Sequence, residues 1–163
     1  MQKEPMLRAT YEKLVEELER LKSVERAAIA RAIDEARALG DLKENAEYHA
    51  AKEKQGHIEA RIVELTDLTG RAQVIDPSTL AHDRVSFGST VTLVDQETDE
   101  EVRYCLVGSQ ESDPVRGYIS MQSPMARALI GKEEGDEVEL ILPDGKKHFD
   151  IEAIEYVEIV LAD

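Results

Sequence analysis

The chain has 163 residues and carries 20 basic against 35 acidic side chains, which gives a formal net charge of −15 at neutral pH. This acidity argues against a protein that coats nucleic acid, because nonspecific binding needs clustered Lys and Arg. Hydrophobic residues make up 42% of the chain, which argues against wholesale disorder. Its apolar runs are far shorter than a membrane span, the first five residues do not resemble a signal peptide, and Cys105 is the only cysteine. We expect a soluble cytoplasmic protein with no membrane partner.

The first half of the chain has the pattern of two long helices. Residues 8–39 contain neither Gly nor Pro and are rich in strong helix formers. Their apolar residues recur at steps of four and three, at Leu7, Tyr11, Leu14, Leu18 and Leu21, and then shift in phase to Val24, Ala28, Ala32 and Leu39, with Ile29 and Ile33 beside them. A second run repeats the pattern at Ala46, Ala50, Ile58, Ile62, Leu65 and Leu68. Because only residues 39–44 separate the runs, the pattern predicts an antiparallel helical hairpin about 45 Å long.

The second half has the pattern of a small sheet. Residues 76–78 are typical of a linker, so we place the domain boundary between 1–76 and 77–163. Apolar residues alternate at period two over 90–94, 102–106 and 138–142, and the pair Asp144–Gly145 predicts a tight turn. A short helix is predicted over 124–130, with Ser123 as N-cap, Pro124 at its first position and Gly131 after its end. The fold class is therefore α+β, with an antiparallel sheet and one short helix in the second domain.

The predicted tip of the hairpin carries two carboxylates three residues apart, Asp41 and Glu44. Carboxylate oxygens at a narrow exposed end suit hard cations such as Mg²⁺. An alternative is purely structural: Gly40 ends the first helix, Asp41 caps the second, and Glu44 is its capping-box partner. One carboxylate can cap a helix in the free protein and bind a metal ion after docking, so the two hypotheses do not exclude each other.

Cationic side chains flank the tip, namely Arg37, Lys43, Lys52 and Lys54. They lie in the half of the chain that is nearly balanced in charge, since residues 1–76 carry 13 basic and 16 acidic side chains and residues 77–163 carry 7 and 19. Such a set can follow a nucleic-acid strand. It can equally serve to solvate a helix, as Lys43 does if it pairs with Glu47.

Two strings of residues resemble a known family. The tip string GDLKENAEYHAAK at 40–52 is similar to the signature of the Gre transcript cleavage factors, in their GreA type, and the string SMQSPMARALIGK at 120–132 resembles the C-terminal motif of the same family. The resemblance extends over nearly the whole chain. It implies an N-terminal antiparallel coiled coil followed by a small antiparallel β-sheet domain with a fold like that of FKBP.

The resemblance also implies a function. The globular domain of such factors docks at the rim of the secondary channel of bacterial RNA polymerase, and the coiled coil enters the channel. There the tip stimulates the polymerase to cleave the nascent RNA 3′ end in a backtracked complex. By position, Asp41 and Glu44 are the tip carboxylates and share Mg²⁺ with the polymerase, while the free chain binds the ion weakly and is not an enzyme alone.

Further residue roles follow from the same resemblance. Arg37, Lys43 and Lys52 are the expected RNA-binding residues, and their modest number suits a factor that releases short fragments. Ser123 and Pro124 are either structural or close to the polymerase-docking surface. We expect the factor to be a monomer when it acts. Three rival readings are an anti-cleavage factor that occludes the channel, a prolyl isomerase or chaperone, and a structural coiled-coil adaptor.

Overall fold

The computed structural model describes residues 2–41 and 45–162. Contacts divide the chain into two compact units: a helical unit that contains Tyr11–Ala72, and a sheet unit that combines Lys3–Thr10 with Gln73–Asp163. The membership of Lys3–Thr10 in the sheet unit is a finding that no local sequence pattern indicated. Nowhere in the described residues is there a helix with the length and apolarity needed to cross a membrane.

Two long helical segments run antiparallel in the helical unit, as predicted. The first consists of α1 (Arg8–Arg20), a π-helical turn (Leu21–Glu25) and α2 (Arg26–Arg37), and the second is α3 (Ala46–Gly70). A core of four buried isoleucines joins α2 to α3, at Ile29, Ile33, Ile58 and Ile62. Farther along α3, Leu65 and Leu68 are also buried, whereas Ala46 and Ala50 are exposed. The apolar pattern therefore identified the core of α3 but extended it too far toward the tip.

The π-helical turn explains the phase shift that the sequence shows after Leu21. In this turn the Arg26 N–H donates to the Leu21 carbonyl, five residues earlier, so this single turn accommodates one residue more than the i→i+4 bonding of an α-helix allows. The residues that follow are thereby rotated relative to α1. As a result Ile29, Ile33 and Ala36 are the buried side chains of α2. Two side chains expected in the seam are exposed: Val24, within the π-helical turn, is 56% exposed, and Leu39, beyond the end of α2, is 67% exposed.

Two paired ionic contacts link the helices of the hairpin. Arg26 donates through Nε and Nη2 to both carboxylate oxygens of Glu59, each at 2.9 Å. Arg61 donates in the same way to Glu17, at 3.1 and 2.8 Å. The hydrogen bonds from Arg26 hold the pKa of Glu59 below its ordinary value. Because each contact is bidentate, it fixes the orientation of the two helices more tightly than a single point contact does.

Two short strands pair with each other, β1 (Glu4–Met6) and β2 (Ala72–Val74). The sheet unit also contains a five-stranded sheet of β3 (Ser89–Asp95), β4 (Glu101–Val107), β5 (Tyr118–Ser120), β6 (Glu137–Leu142) and β7 (Gly145–Tyr156). The order of the strands across this sheet is β5-β4-β3-β7-β6. The sheet is antiparallel as predicted, except that β5 runs parallel to β4. Helix α4 (Pro124–Leu129) contributes the buried Ala126 and Leu129 to the core of the sheet. The α+β fold class is thus confirmed.

The segment expected to be a linker is a packed turn. Pro77 is buried, and the Asp76 carboxylate accepts from the Ser78 N–H at 3.0 Å. His82 is buried as well and bridges Ser89 Oγ at 2.7 Å and the Pro77 carbonyl at 2.6 Å with its two ring nitrogens. The composition of residues 76–78 predicted a linker and gave no sign that Pro77 is buried, because its packing depends on His82, which is distant from any local pattern at 76–78.

A buried glutamate attaches the N-terminal segment to the sheet unit. Glu111 is 6% exposed, and its carboxylate accepts from the Gly108 N–H at 2.8 Å and from the Leu7 N–H at 3.0 Å. A side chain at Gly108 would collide with the Pro5 carbonyl, so the backbone approaches here as closely as glycine alone allows.

Cys105 is buried in β4, as predicted for a small apolar residue, and its thiol lies 3.7 Å from the Gly88 carbonyl. Burial raises the pKa of the Cys105 thiol above its ordinary value.

Candidate functional site

The backbone turns sharply after α2. The helix ends at Arg37, with Ala38 as C-cap, and Gly40 has a φ of +124°, a conformation that favours glycine. The expectation that Gly40 ends the first helical segment is therefore consistent with its backbone. Asp41 follows and is exposed. Lys43 and Glu44, the other predicted tip residues, lie outside the described residues.

Helix α3 is capped by Asn45 and not by Asp41. The Asn45 Oδ1 accepts from the Tyr48 N–H at 3.0 Å, which is the usual bond of an N-cap side chain to the third helical residue. Since α3 begins at Ala46, Asp41 precedes the helix by too many residues to act as its N-cap, and Glu44 precedes the cap in the chain. The structural alternative, with Asp41 as cap and Glu44 as its capping-box partner, is wrong for this reason.

Asn45 makes a second contact that capping does not require. Its Nδ2 donates to the carbonyl of Ala36 at 2.5 Å, so one side chain joins the last turn of α2 to the first turn of α3. Sequence reasoning missed this residue. The available signal was that Asn is among the preferred N-cap residues and stands immediately before a run of helix formers.

Asp41 lies beside a shallow surface depression at the tip. The depression is lined by Leu39, Asp41, Asn45, Ala46 and Glu47. The described part of the chain contains no group of three or more His, Cys, Asp or Glu side chains arranged to hold a metal ion. An exposed carboxylate such as Asp41 nevertheless suits Mg²⁺, which uses oxygen ligands and commonly takes only one or two protein carboxylates.

Two of the three predicted RNA-binding residues are described, and both are exposed. Arg37, at the end of α2, has its guanidinium 6.0 Å from the centre of the Tyr48 ring in α3, within the range of a cation–π contact. Lys52, one turn farther along α3, donates through Nζ to Gln55 Oε1 at 3.2 Å. Tyr48 in turn packs against the isoleucine core of the hairpin.

The two residues predicted near a docking surface begin helix α4 in the sheet unit. Ser123 Oγ accepts from the Ala126 N–H at 3.2 Å, and Pro124 occupies the first helical position and is exposed. The capping arrangement predicted from the sequence is confirmed. Ser123 therefore has a structural role, and its backbone is held further by a bond to the Ser120 carbonyl.

Comparisons with solved structures give similarity over most of the chain. The Gfh1 protein of Thermus thermophilus is 29% identical, with 94% of this chain and 99% of that one covered and a TM-score of 0.43. A GreA/GreB transcription elongation factor from Nitrosomonas europaea is 25% identical, with coverage of 94% and 100% and a TM-score of 0.43.

Curated relatives are much more similar in sequence. A transcription elongation factor GreA of Sulfurovum sp. (strain NBC37-1) is 76% identical over 161 residues, which cover 99% of both chains. The GreA of Nautilia profundicola is 59% identical over 98% of both chains, and that of Helicobacter pylori (strain G27) is 57% identical over 98% of this chain and 97% of its own.

Family models match both halves of the chain. The model for the N-terminal domain of transcription elongation factors matches residues 4–74, and the model for the C-terminal domain of GreA/GreB matches residues 80–156. The two matches leave out only the first three residues, the packed turn around Pro77 and the last seven residues. The chain therefore belongs to the GreA/GreB family of transcription elongation factors.

Proposed function

We propose that the chain enters the secondary channel of bacterial RNA polymerase and stimulates the polymerase to cleave the 3′ end of a backtracked nascent RNA. In this proposal Asp41 and Glu44 act in trans at the polymerase active centre, and cleavage returns an RNA end to register so that arrested synthesis resumes. The membership in a family of transcription elongation factors supports RNA polymerase as the partner. Because bacterial transcription takes place in the cytoplasm, the proposal also assigns the chain to that compartment.

One observation carries the proposal for Asp41. Its side chain is exposed next to the tip depression, while Asn45 provides the N-cap of α3. The N-cap role that the sequence allowed for Asp41 is thus filled by another residue. An exposed carboxylate at the end of the hairpin can serve as a ligand when the tip meets a partner.

The ligand chemistry of the tip fits magnesium shared with another protein. Mg²⁺ keeps most of its shell as water and substrate phosphate oxygens, so one or two added carboxylates suffice. When bound, the ion activates water and stabilises the leaving oxygen of a phosphodiester. Asp41 and Glu44 would contribute carboxylate oxygens to the ion and orient the attacking water. The polymerase supplies the remaining ligands, so the free chain is expected to bind Mg²⁺ weakly and to cleave nothing by itself.

The cations near the tip would guide the extruded RNA. Arg37 at the end of α2 and Lys52 on α3 are both exposed, and Lys43 belongs to the same set by its place in the sequence. Each phosphate contact adds an attraction that weakens with salt. The exposed Pro124 and the helix that follows Ser123 are proposed to lie close to the polymerase-docking surface.

The test uses a halted bacterial elongation complex with a radiolabelled, backtracked RNA. The purified chain is added with Mg²⁺, and shortened RNA is measured over time against the complex alone. The wild type should accelerate cleavage and lower the Mg²⁺ concentration at half-maximal rate. Asp41→Asn should reduce the acceleration at least about tenfold, because even outer-shell partners of a metal cost about 10- to 100-fold when removed.

The matched control is Asp34→Asn, which makes the same change of charge on the exposed face of α2. It should cleave like the wild type. Neither substitution should shift thermal unfolding, because Asn has the shape of Asp and keeps a side-chain oxygen that accepts hydrogen bonds, and because Asn45 caps α3 in both variants. Wild-type cleavage by Asp41→Asn contradicts the ligand role, and a wild-type chain that slows cleavage would support the rival reading of a channel-occluding factor.

A further inference from the structure

The side-chain amide of Asn45 makes hydrogen bonds with backbone groups of two different helices, one through its oxygen and one through its nitrogen. Oδ1 accepts from Tyr48 N–H in α3, and Nδ2 donates to Ala36 O in α2. Because an N–H only donates and a carbonyl only accepts, the two partners leave a single orientation of the amide. We name this arrangement of Ala36, Asn45 and Tyr48 the tip clamp.

The tip clamp requires asparagine and no other good capping residue. Asp and Ser cap helices about as well as Asn, and either oxygen can accept from the Tyr48 N–H. A carboxylate has no proton to donate, however, and the hydroxyl of Ser, which is bonded directly to Cβ, is one bond shorter than the Asn amide, so its O–H cannot take the place of Nδ2 while its oxygen caps Tyr48. Helix capping alone therefore does not account for the contact with Ala36.

The two bonded backbone groups stand at the ends of the segment that carries the tip carboxylates. Ala36 is the last buried residue of α2, with Arg37 after it, and Asn45 directly precedes α3. Asn45 also lines the same depression as Asp41. The bond from Asn45 to Ala36 holds the end of α2 next to the start of α3, and thereby the backbone from which Asp41 extends.

We propose that Asn45 is a positioning residue: through the tip clamp it sets the place of the Asp41 carboxylate relative to the axis of the hairpin. This inference rests on the proposed function of Asp41. Its consequence is quantitative, because a displacement of a reacting group by about 1 Å can cost on the order of 100-fold in rate. Loss of the clamp should thus lower the cleavage rate at saturating factor and leave polymerase binding unchanged.

The decisive variants keep an acceptor that can cap α3 and remove the Nδ2 donor that reaches Ala36. Asn45→Ser and Asn45→Asp both retain an acceptor for the Tyr48 N–H, and they differ from each other in charge, so agreement between them excludes a charge effect. Asn45→Ala removes both bonds and serves as the comparison for loss of the cap. Asp34→Asn serves again as the neutral control on the same hairpin.

Two measurements are made on each variant. In the cleavage assay, the maximal rate and the factor concentration at half-saturation are determined separately. We expect the Ser and Asp variants to lose at least about tenfold in maximal rate, with the half-saturating concentration and the unfolding temperature unchanged. In the free chain, amide hydrogen exchange should accelerate at Leu39, whose N–H donates to Ala36 O at 3.1 Å, and stay slow at Tyr48.

The outcomes separate this inference from the proposed function. If the wild type fails to stimulate cleavage, the proposed function fails, and the exchange measurement still decides whether the clamp exists. If the wild type stimulates cleavage and both the Ser and the Asp variant reach its maximal rate, Asn45 is not a positioning residue. Unchanged exchange at Leu39 in both variants overturns the clamp itself, and a loss confined to the half-saturating concentration assigns Asn45 to docking instead.

Discussion

Deleting one residue from the π-helical turn should leave the hairpin folded. From Leu14 to Ile33 an uninterrupted α-helix turns about five and a quarter times, which would leave Ile33 about 100° away from the face of Leu14. The turn at Leu21–Glu25 corrects this by one extra residue. Without Ser23, an ordinary α-helix covers the same span in about five whole turns, and both side chains keep their common face.

The energetic cost of that deletion is small. Ser23 is exposed, and its Oγ donates to the Glu19 carbonyl at 2.7 Å within its own helix. We expect the Ser23 deletion to change the free energy of unfolding by less than about 1 kcal/mol, as is usual for exposed positions. Deletion of the exposed Arg31 is the matched control. Removing Arg31 rotates Ile29 and Ile33 relative to each other by about 100°, so one of them no longer faces α3. The free energy of unfolding should therefore fall by about 2–5 kcal/mol, as it does when a buried isoleucine is truncated.

Urea unfolding followed by far-ultraviolet circular dichroism distinguishes the two deletions. The Ser23 deletion should have a midpoint close to that of the wild type, and the Arg31 deletion a clearly lower one. Equal destabilisation by the two deletions would refute the idea that the π-helical turn only restores the phase of the apolar face.

Three further predictions concern single side chains. Glu111→Gln should lower the free energy of unfolding by about 2 kcal/mol, measured by chemical denaturation with an unchanged slope. A hydrogen bond to a buried charged group contributes about 1.5–3 kcal/mol, and the Gln amide has only one oxygen with which to accept the two bonds that the carboxylate accepts. Arg26→Met should raise the pKa of Glu59 toward its ordinary value, followed by NMR titration of the carboxyl carbon. The depressed pKa means that the ion pair stabilises the hairpin above the unfolded-state pKa and ceases to do so as pH falls through the folded-state pKa, and a Glu59 titration identical in both proteins would contradict this. Lys52→Ala should reduce cleavage most in deeply backtracked complexes, and an unchanged crosslink to the RNA 3′ end would count against a steering role.

The sequence predicted the main elements because their signals are local. Steps of three and four marked both long helical segments, period two marked the longer strands, and Ser123 with Pro124 marked the start of α4. The phase shift after Leu21 was visible too. The sequence did not show which face of the helix is buried after the shift, because a stripe of apolar residues can be drawn through either Val24 or Ile29. The π-helical turn decides between the two faces, and it is a feature of backbone hydrogen bonding that side-chain periodicity does not report.

The tip was harder to predict for a different reason. Asp41 and Asn45 are both favoured N-cap residues, and composition does not locate a helix start to within a few residues. The position of Lys3–Thr10 in the sheet unit depends on Glu111, which is distant in sequence and gives no periodic signal. The roles of Glu44 and Lys43 stay predictions, because these residues lie outside the described part of the tip.

The buried thiol of Cys105 is an intrinsic reporter of local unfolding in the sheet unit. The thiolate is the form that reacts with alkylating reagents, and a raised pKa together with burial keeps that form scarce and inaccessible in the folded chain. Since the chain has no other cysteine, the rate of its alkylation measures how often β4 becomes exposed to solvent, without any introduced label. The stability of the sheet unit can therefore be followed in the presence of a much larger partner, where spectroscopic signals would overlap.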